Sequence, residues 1–304
     1  MKPILIAGPT AAGKSALALA IAGATGATIL NADAMQVYSC WRVLSARPSA
    51  EEEARAPHAL FGHVDPARHH SVGAWLREAA PFLDGRPLVI VGGTGLYFTA
   101  LTEGLAPIPP VPDTVRAEAD RAMRDHGPGW FRSALAADDP ETLAQIDASN
   151  PARLQRAWEV LRATRRGLRA WQADTPAPLL PLKAATPLVL APAVDWLDRR
   201  IAARFETMLD AGAIDEVRGW RRLALPDSTP AAKALGRAEI EAFIDGGIDR
   251  QTCIARATLV SRRYAKRQRT WFRNRLGDWP RLDPAIGTEA LLTAVMGRID
   301  AERD

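Results

Sequence analysis

The residues Gly8-Pro-Thr-Ala-Ala-Gly-Lys-Ser15 match the pattern G-x-x-x-x-G-K-[ST]. Gly8 and Gly13 admit backbone torsions closed to other residues, so the amides of Thr10, Ala11 and Ala12, which follow Pro9, can turn inward around an anion. Lys14 adds a full positive charge, and the helix that should follow adds a partial one at its N-terminus. The Ser15 hydroxyl can ligate a magnesium ion held between phosphate oxygens. A nucleoside triphosphate is the default ligand of such a loop, and the rest of the chain must support that reading or replace it.

Three further places hold groups able to act on a phosphorylated substrate. Asp33, in Asn31-Ala-Asp-Ala-Met-Gln-Val-Tyr38, can serve as a magnesium ligand, a helix cap, or a general base, the last contributing about 10²–10⁴-fold to a rate. Thr94, in Gly92-Gly-Thr-Gly95, either belongs to a plain tight turn or offers its hydroxyl to a substrate. Arg200 and Arg204 stand one helical turn apart and can reach a shared anion.

The elements that must position these groups are legible around them. Ile4–Ala7 is a short apolar run between Pro3 and Gly8, as expected of a buried parallel strand, and Lys14–Ile21 reads as a helix. Strand, glycine loop and helix together form the context that the phosphate motif requires. Strands are also expected at Ala27–Asp33, Pro87–Gly95 and Pro187–Pro192. Strands alternating with helices imply an α/β fold, a parallel sheet with helices on both faces. Ligands of such sheets bind beyond the carboxyl ends of the strands, where Lys14, Asp33 and Thr94 would meet.

Proline-rich segments at Leu105–Asp113 and Thr175–Pro187 bracket a helical stretch. Asp113 and Asp139 are expected to cap helices. Asn150–Pro151 should start another, with Leu154, Ala157, Trp158 and Leu161 along one face. Residues 105–186 therefore read as an all-helical domain inserted into a core made of 1–104 plus 187–304. Long helices are expected at Leu197–Trp220 and Ile254–Arg275.

The chain has 304 residues, of which 47% are hydrophobic and 24% charged, enough apolar material for packed cores and against wholesale disorder. No apolar run approaches the ~20 residues of a membrane span, so a soluble, cytoplasmic protein is expected, and since nothing in the sequence demands an oligomer, a monomer is expected. Cys40 and Cys253 are too far apart in sequence for a C-x-x-C site, and the five histidines show no metal-ligand spacing. The net charge of +4 is concentrated. Arg256, Arg262, Arg263, Lys266, Arg267, Arg269, Arg273 and Arg275 follow one another with no intervening acid. On a helix, Arg262, Lys266, Arg269 and Arg273 share a face, with Tyr264 and Trp271 on another. That interleaving suits a nucleic-acid backbone with stacking surfaces, or else a solvated helix face with two core anchors.

Taken in order, GPTAAGKS, NADAMQVY, VGGTGLYF, RLQRAWEVLRAT and RRYAKRQRTWFRN resemble the tRNA dimethylallyltransferase family, from Ile4 to about Arg275. The resemblance implies a P-loop NTPase-like sheet with a helical insertion that grips the tRNA anticodon stem-loop. It also implies that the loop holds a diphosphate, that of dimethylallyl diphosphate, and not ATP. Gly8–Ser15 would bind it, with magnesium through Ser15; Arg200 and Arg204 would brace the leaving pyrophosphate. Asp33 would be the base on the adenine amino group, and Thr94 would contact tRNA or the bridging oxygen. Contacts to tRNA would come from Asp33, Ala34, Met35, Gln36, Arg116, Ala152, Arg153, Leu154, Gln155 and Arg156, joined by Arg262, Lys266 and Arg269 of the basic stretch. Ala12 and Ala34 stand where the family usually has Ser, Asn150 and Ala152 where it has Asp and Gln, and Ser261 where it has Thr. Two other readings keep the same motifs: a small-molecule kinase with ATP on the loop and Asp33 activating a hydroxyl, and a non-catalytic RNA-binding protein.

Overall fold

The structure, a computed structural model, describes residues 1–301. The chain forms two compact units: Met1–Glu103 together with the chain from Leu179 onward, and Gly104–Pro178.

The first unit is an α/β layered structure. Its strands are β1 (Ile4–Ala7), β2 (Thr28–Asn31), β3 (His58–Ala59), β4 (Leu88–Gly92), β5 (Thr186–Leu190) and β6 (Arg281–Leu282). They form one sheet in the order β3-β2-β4-β1-β5-β6, with every pairing parallel. Parallel strands are covered on both faces, so they need continuous apolar runs instead of alternation; all four residues of β1 and all five of β4 are buried. Helices α1 (Lys14–Thr25), α2 (Ala50–Arg55), α3 (Val72–Ala79) and α4 (Gly95–Glu103) follow the first strands. On one face, α1 and the last helix, which spans Thr288–Ala301, bury Leu17, Ile21, Leu291, Val295 and Ile299 against Ile4, Ile6, Val89 and Leu188. Each such side chain contributes about 1.5–3 kcal/mol when fully buried. On the other, α4 packs against β1 and α3. There Tyr97 stacks on Trp75 at 4.6 Å, and the Trp75 indole N–H donates to the Asn31 carbonyl at 2.7 Å.

The second unit holds α5 (Asp113–His126), α6 (Pro128–Asp138), α7 (Pro140–Gln145), α8 (Pro151–Thr164) and α9 (Leu168–Ala173). Its core is Ala119, Ala122, Phe131, Leu135, Leu154, Ala157 and Trp158. Asp139 caps α7 by accepting from the Thr142 amide, and Asn150 caps α8 by accepting from the Ala152 amide. Asp113 is not a cap: Pro112 holds that position, and Asp113 lies in the first turn, where its charge favours the helix dipole. The insertion ends inside the second proline-rich segment, at Pro178 and not at residue 186. Leu180 is buried and its amide donates to the Leu101 carbonyl at 3.1 Å, so residues 179–186 belong with the sheet unit.

The remaining helices of the sheet unit are α10 (Val194–Met208), α11 (Ile214–Arg222), α12 (Arg237–Ile244), α13 (Arg250–Arg275) and α14, the Thr288–Ala301 helix described above. The helix expected over Leu197–Trp220 is thus two helices. A wide turn at Leu209–Ala213 separates them, with Gly212 at φ 108°, a torsion that costs other residues dearly. The break lets Phe205, Leu209, Val217 and Trp220 all face Tyr38, Trp41 and Ile240 in a separate apolar cluster.

Candidate functional site

The loop between β1 and α1 is shaped by what surrounds it. Gly8 is buried, and a methyl group there would sit 3.1 Å from Leu190 Cβ and 3.4 Å from Lys14 Cδ. Ala11 and Gly13 adopt left-handed torsions, φ 62° and 87°. Gly13 gives α1 no side-chain cap, so the first-turn amides remain available to an anion. The Lys14 ammonium donates to the Pro9 carbonyl at 2.8 Å. Burial lowers its pKa from 10.5 to about 8; Asp33 opposes that fall and Arg204 adds to it. Arg200 Nε donates to the Ala11 carbonyl at 3.0 Å, and the Arg204 guanidinium to Thr10 Oγ1 at 3.3 Å. Both arginines of α10 therefore stand on the rim of the loop, and burial pulls the Arg204 pKa below its ordinary value while Asp33 resists.

Asp33 follows β2 and is held by its neighbours. Its amide donates to Asn31 Oδ1 at 2.8 Å, and its Oδ1 accepts from the Met35 amide at 2.9 Å. Asn31 is buried and also donates to the carbonyls of Asp33 and Leu60. The glycine turn after β4 closes over this segment. A methyl at Gly92 would overlap the Ala32 carbonyl; one at Gly93 would strike Gln268 and lie 3.0 Å from Asp33 Oδ2; one at Gly95 would strike the Trp271 indole. Thr94 Oγ1 accepts from the Ala34 amide at 2.9 Å and the Thr94 amide donates to the Ala32 carbonyl at 3.2 Å, so this residue splints the Asp33 loop.

Gln268, buried on α13, is the piece that sequence reasoning passed over. Its Oε1 accepts from the Thr10 amide at 2.8 Å and its Nε2 donates to the Gly93 carbonyl at 2.9 Å. One carboxamide thus ties the phosphate loop, the glycine turn and the basic helix together. In sequence it is a neutral residue inside a run of cations, and only its burial distinguishes it.

These parts enclose a cleft of about 700 Å³. Thr10–Ser15, Asp33–Gln36, Arg200 and Arg204 line it, as do Ser261, Tyr264 and Arg267 of α13. Phe61, Phe205, Met208 and Leu235 supply apolar wall. Burial and the nearby Asp33 charge push the Tyr264 hydroxyl above its ordinary pKa, against Arg267, whose guanidinium stacks on the ring at 5.6 Å. The arrangement can hold a diphosphate at one end, an apolar group along the wall, and an acceptor facing a carboxylate. Tyr264 and Arg267 reach the cleft, whereas Arg262, Lys266 and Arg273 lie exposed on α13 and Arg269 is half-buried. Arg262 pairs with Asp198 at 3.3 Å.

Within the helical unit, Arg116 lies on α5 and Ala152–Arg156 at the start of α8. Ala152 and Arg153 are exposed. Gln155 donates to Asp120 and Glu159, and burial lowers the Arg156 pKa beside Glu159 and Arg116. Leu154 does not fit the expected contact with tRNA: it is 1% exposed and fills the core of the helical unit, the role its apolar periodicity assigns it.

Comparison with known proteins points to one family. The family model described as IPP transferase matches residues 36–275, and one described as isopentenyl transferase matches residues 1–56. A relative from Paracoccus denitrificans named tRNA dimethylallyltransferase is 55% identical over 285 residues, covering 91% of this chain and 93% of its own. One of the same name from Dinoroseobacter shibae is 55% identical over 286 residues, covering 93% and 95%. Among solved structures, the tRNA isopentenylpyrophosphate transferase of Bacillus halodurans aligns with TM-score 0.68 and 28% identity over 99% of this chain and 96% of that one. A eukaryotic dimethylallyltransferase, solved acting on tRNA, shares the fold with TM-score 0.78 at 22% identity, covering 93% and 74%.

Proposed function

This chain belongs to the IPP transferase family, that of the tRNA dimethylallyltransferases, and we propose that it transfers a dimethylallyl group from dimethylallyl diphosphate to N6 of adenosine 37 in tRNA. The observation that carries this is the meeting of the phosphate loop, Arg200, Arg204 and Asp33 in one cleft with an apolar wall. The P-loop NTPase-like sheet here serves alkyl transfer, not phosphoryl transfer from ATP.

The exocyclic amine of adenine is a poor nucleophile because its lone pair is delocalised into the ring. It needs a carboxylate partner and a strongly activated carbon. In the reaction N6 bonds to the allylic carbon, the carbon–oxygen bond to the diphosphate breaks, and its electron pair leaves with pyrophosphate. The N6 proton passes to the Asp33 carboxylate. Lys14, the first amides of α1, Arg200 and Arg204 face the oxygen that gains charge, and such fixed donors stabilise a transition state without reorganising. Two hydrogen bonds hold the Asp33 segment in place, through Asn31 and Met35. Holding amine and carbon in line supplies the remaining advantage. The base must leave its stack to enter the cleft, at a cost of a few kcal/mol that its place in a loop reduces.

Magnesium fits the donor set. The exposed Ser15 hydroxyl beside Lys14, with Asp33 on the same cleft, offers oxygen ligands of the hard class that magnesium prefers. Ser15 would hold the ion against the diphosphate, where it would neutralise charge on the leaving group. The anticodon stem-loop would meet the exposed cations of α13 and, in the helical unit, Arg116, Arg153 and Arg156. The enzyme would act as a cytoplasmic monomer; among the described residues no helix is long and apolar enough to cross a membrane.

Incubation with labelled dimethylallyl diphosphate and unmodified tRNA tests the reaction. Label should appear in the tRNA at adenosine 37, read by mass spectrometry as an added five-carbon unit. Transfer of phosphate from ATP to a small acceptor, with isoprenoid donors ignored, would overturn it.

A further inference from the structure

The histidines that showed no metal spacing in sequence do not stay apart in the fold. His63 and His70 flank the segment between the Tyr38–Val64 bridge and α3, and Glu78 lies in the last turn of α3. His63 Nε2 and His70 Nε2 both approach Glu78 Oε2, each at 2.9 Å. The rings stand nearly perpendicular with centroids 5.7 Å apart, and the three ligating atoms lie within 4.8 Å of one another. The His70 side chain is only 5% exposed, while those of His63 and Glu78 are 31% and 38% exposed.

We propose that His63, His70 and Glu78 form a binding site for a divalent transition metal of the zinc class, separate from the magnesium of the phosphate loop. Zinc binds imidazole nitrogen and carboxylate oxygen at about 2.0–2.2 Å, so tetrahedral ligands stand about 3.3 Å apart. Each imidazole nitrogen stands 2.9 Å from the Glu78 oxygen, a few tenths of an ångström inside that spacing, and small rotations of the partly exposed His63 and Glu78 side chains would set the remaining ligand separation. A two-histidine, one-carboxylate set leaves a position open, and the partial exposure of His63 and Glu78 lets water fill it. Mixed nitrogen and oxygen donors favour zinc, cobalt or nickel over magnesium, which requires oxygen.

The Nε2 atoms of both imidazoles are already turned towards the Glu78 carboxylate. Buried His70 Nδ1 has no hydrogen-bond partner among the described residues, so no outside group commits that ring to the Glu78 bond.

A metal here would be structural. It would fasten the segment before α3 to the helix, and α3 braces the strand end that carries Asp33: Trp75, one turn before Glu78, donates to the Asn31 carbonyl, and the Asn31 side chain accepts from the Asp33 amide. The ion would therefore stiffen the frame behind the carboxylate without touching substrate.

Titration of the full chain, freed of metal by chelator and dialysed, with cobalt(II) tests the site. An intense visible d–d band of four- or five-coordinate cobalt should rise to saturation at a single equivalent, and zinc should displace it. Zinc should also raise the melting temperature where magnesium does not. His63→Ala, at the more exposed ligand, and Glu78→Gln should each weaken cobalt binding by more than about 100-fold, beyond the cost of losing an outer-shell partner. His70→Ala should abolish the band; if that variant does not fold, the other two decide the matter. Only the weak band of octahedral cobalt, or a strong band that persists in His63→Ala and Glu78→Gln, would overturn the proposal.

Discussion

The lowered pKa of Lys14 makes donor binding a proton-linked event whose size follows from the structure. In the free loop the ammonium is buried and titrates at about 8, against an ordinary 10.5. A bound diphosphate places two or more negative charges beside it and should restore at least the ordinary value. Below pH 8 the lysine is charged in both states and affinity is at its maximum. Above pH 8 the free form loses its proton while the bound form keeps it, so binding must take up a proton and affinity falls. At pH 9.5 about 3% of the free protein carries the charge, which makes binding about 30-fold weaker than at pH 7, or about 2 kcal/mol. Phosphate groups themselves complete their last ionisation near pH 6 and do not confuse the comparison. Calorimetry with dimethylallyl diphosphate and magnesium measures this directly. In two buffers of different ionisation enthalpy at pH 9, the apparent enthalpies should differ by the uptake of about 0.9 proton. Lys14→Met should bind more weakly at pH 7 and lose most of the pH dependence. A dissociation constant that stays flat between pH 7 and pH 9.5 in the unaltered protein, or a slope that Lys14→Met retains, would refute the argument that this lysine is buried beside the cradle and charged by its ligand.

Other expectations follow from the same geometry. Asp33→Ala should lower kcat by about 10²–10⁴-fold while the tRNA dissociation constant, read by filter binding, stays within a few-fold; lost affinity with preserved turnover would make Asp33 a recognition residue. Arg269→Ala should weaken tRNA binding and reduce the slope of log K against log salt by about one, and an unchanged slope would return that face of α13 to a solvated surface. Gln268→Ala leaves the buried Gly93 carbonyl without its partner, at a cost of about 1–3 kcal/mol, and frees the half-buried Thr10 amide; thermal denaturation should show the loss, and KM for the donor should rise. An unshifted melting temperature would mean that water replaces the carboxamide without penalty.

Much of the scaffold was readable because its signals are local. β1 with its glycine loop, β4 with its glycine turn, and α8 with its Asn-Pro start each carry composition that allows few other structures. The site was readable to the same extent: Lys14, Asp33, Arg200 and Arg204 do line one cleft. What escaped depends on contacts between distant segments. The single glycine at 212 that splits α10 from α11 sits in otherwise helical composition. β3 and β6 have two residues each, too few for a pattern. Gln268 acquires its role only when α13 crosses residues 175 and 258 positions away. Thr94, expected to face substrate, has a second task that only the fold reveals: its oxygen accepts from the Ala34 amide. Leu154 shows the opposite error, an apolar core position assigned to RNA because the family resemblance was carried across the whole Ala152–Arg156 stretch.

The glycine turn after β4 carries a lesson about mutational tolerance. Residues 92, 93 and 95 each press bare backbone against a different neighbour: a carbonyl next to the base, the carboxamide clamp, and an indole. Adding one carbon at 93 or 95 pushes on a single side chain of the machinery, whereas at 92 it meets main chain that can give way only by shifting the sheet itself. Alanine at 93 or 95 would thus report on the reaction centre, and alanine at 92 on the strand that carries it.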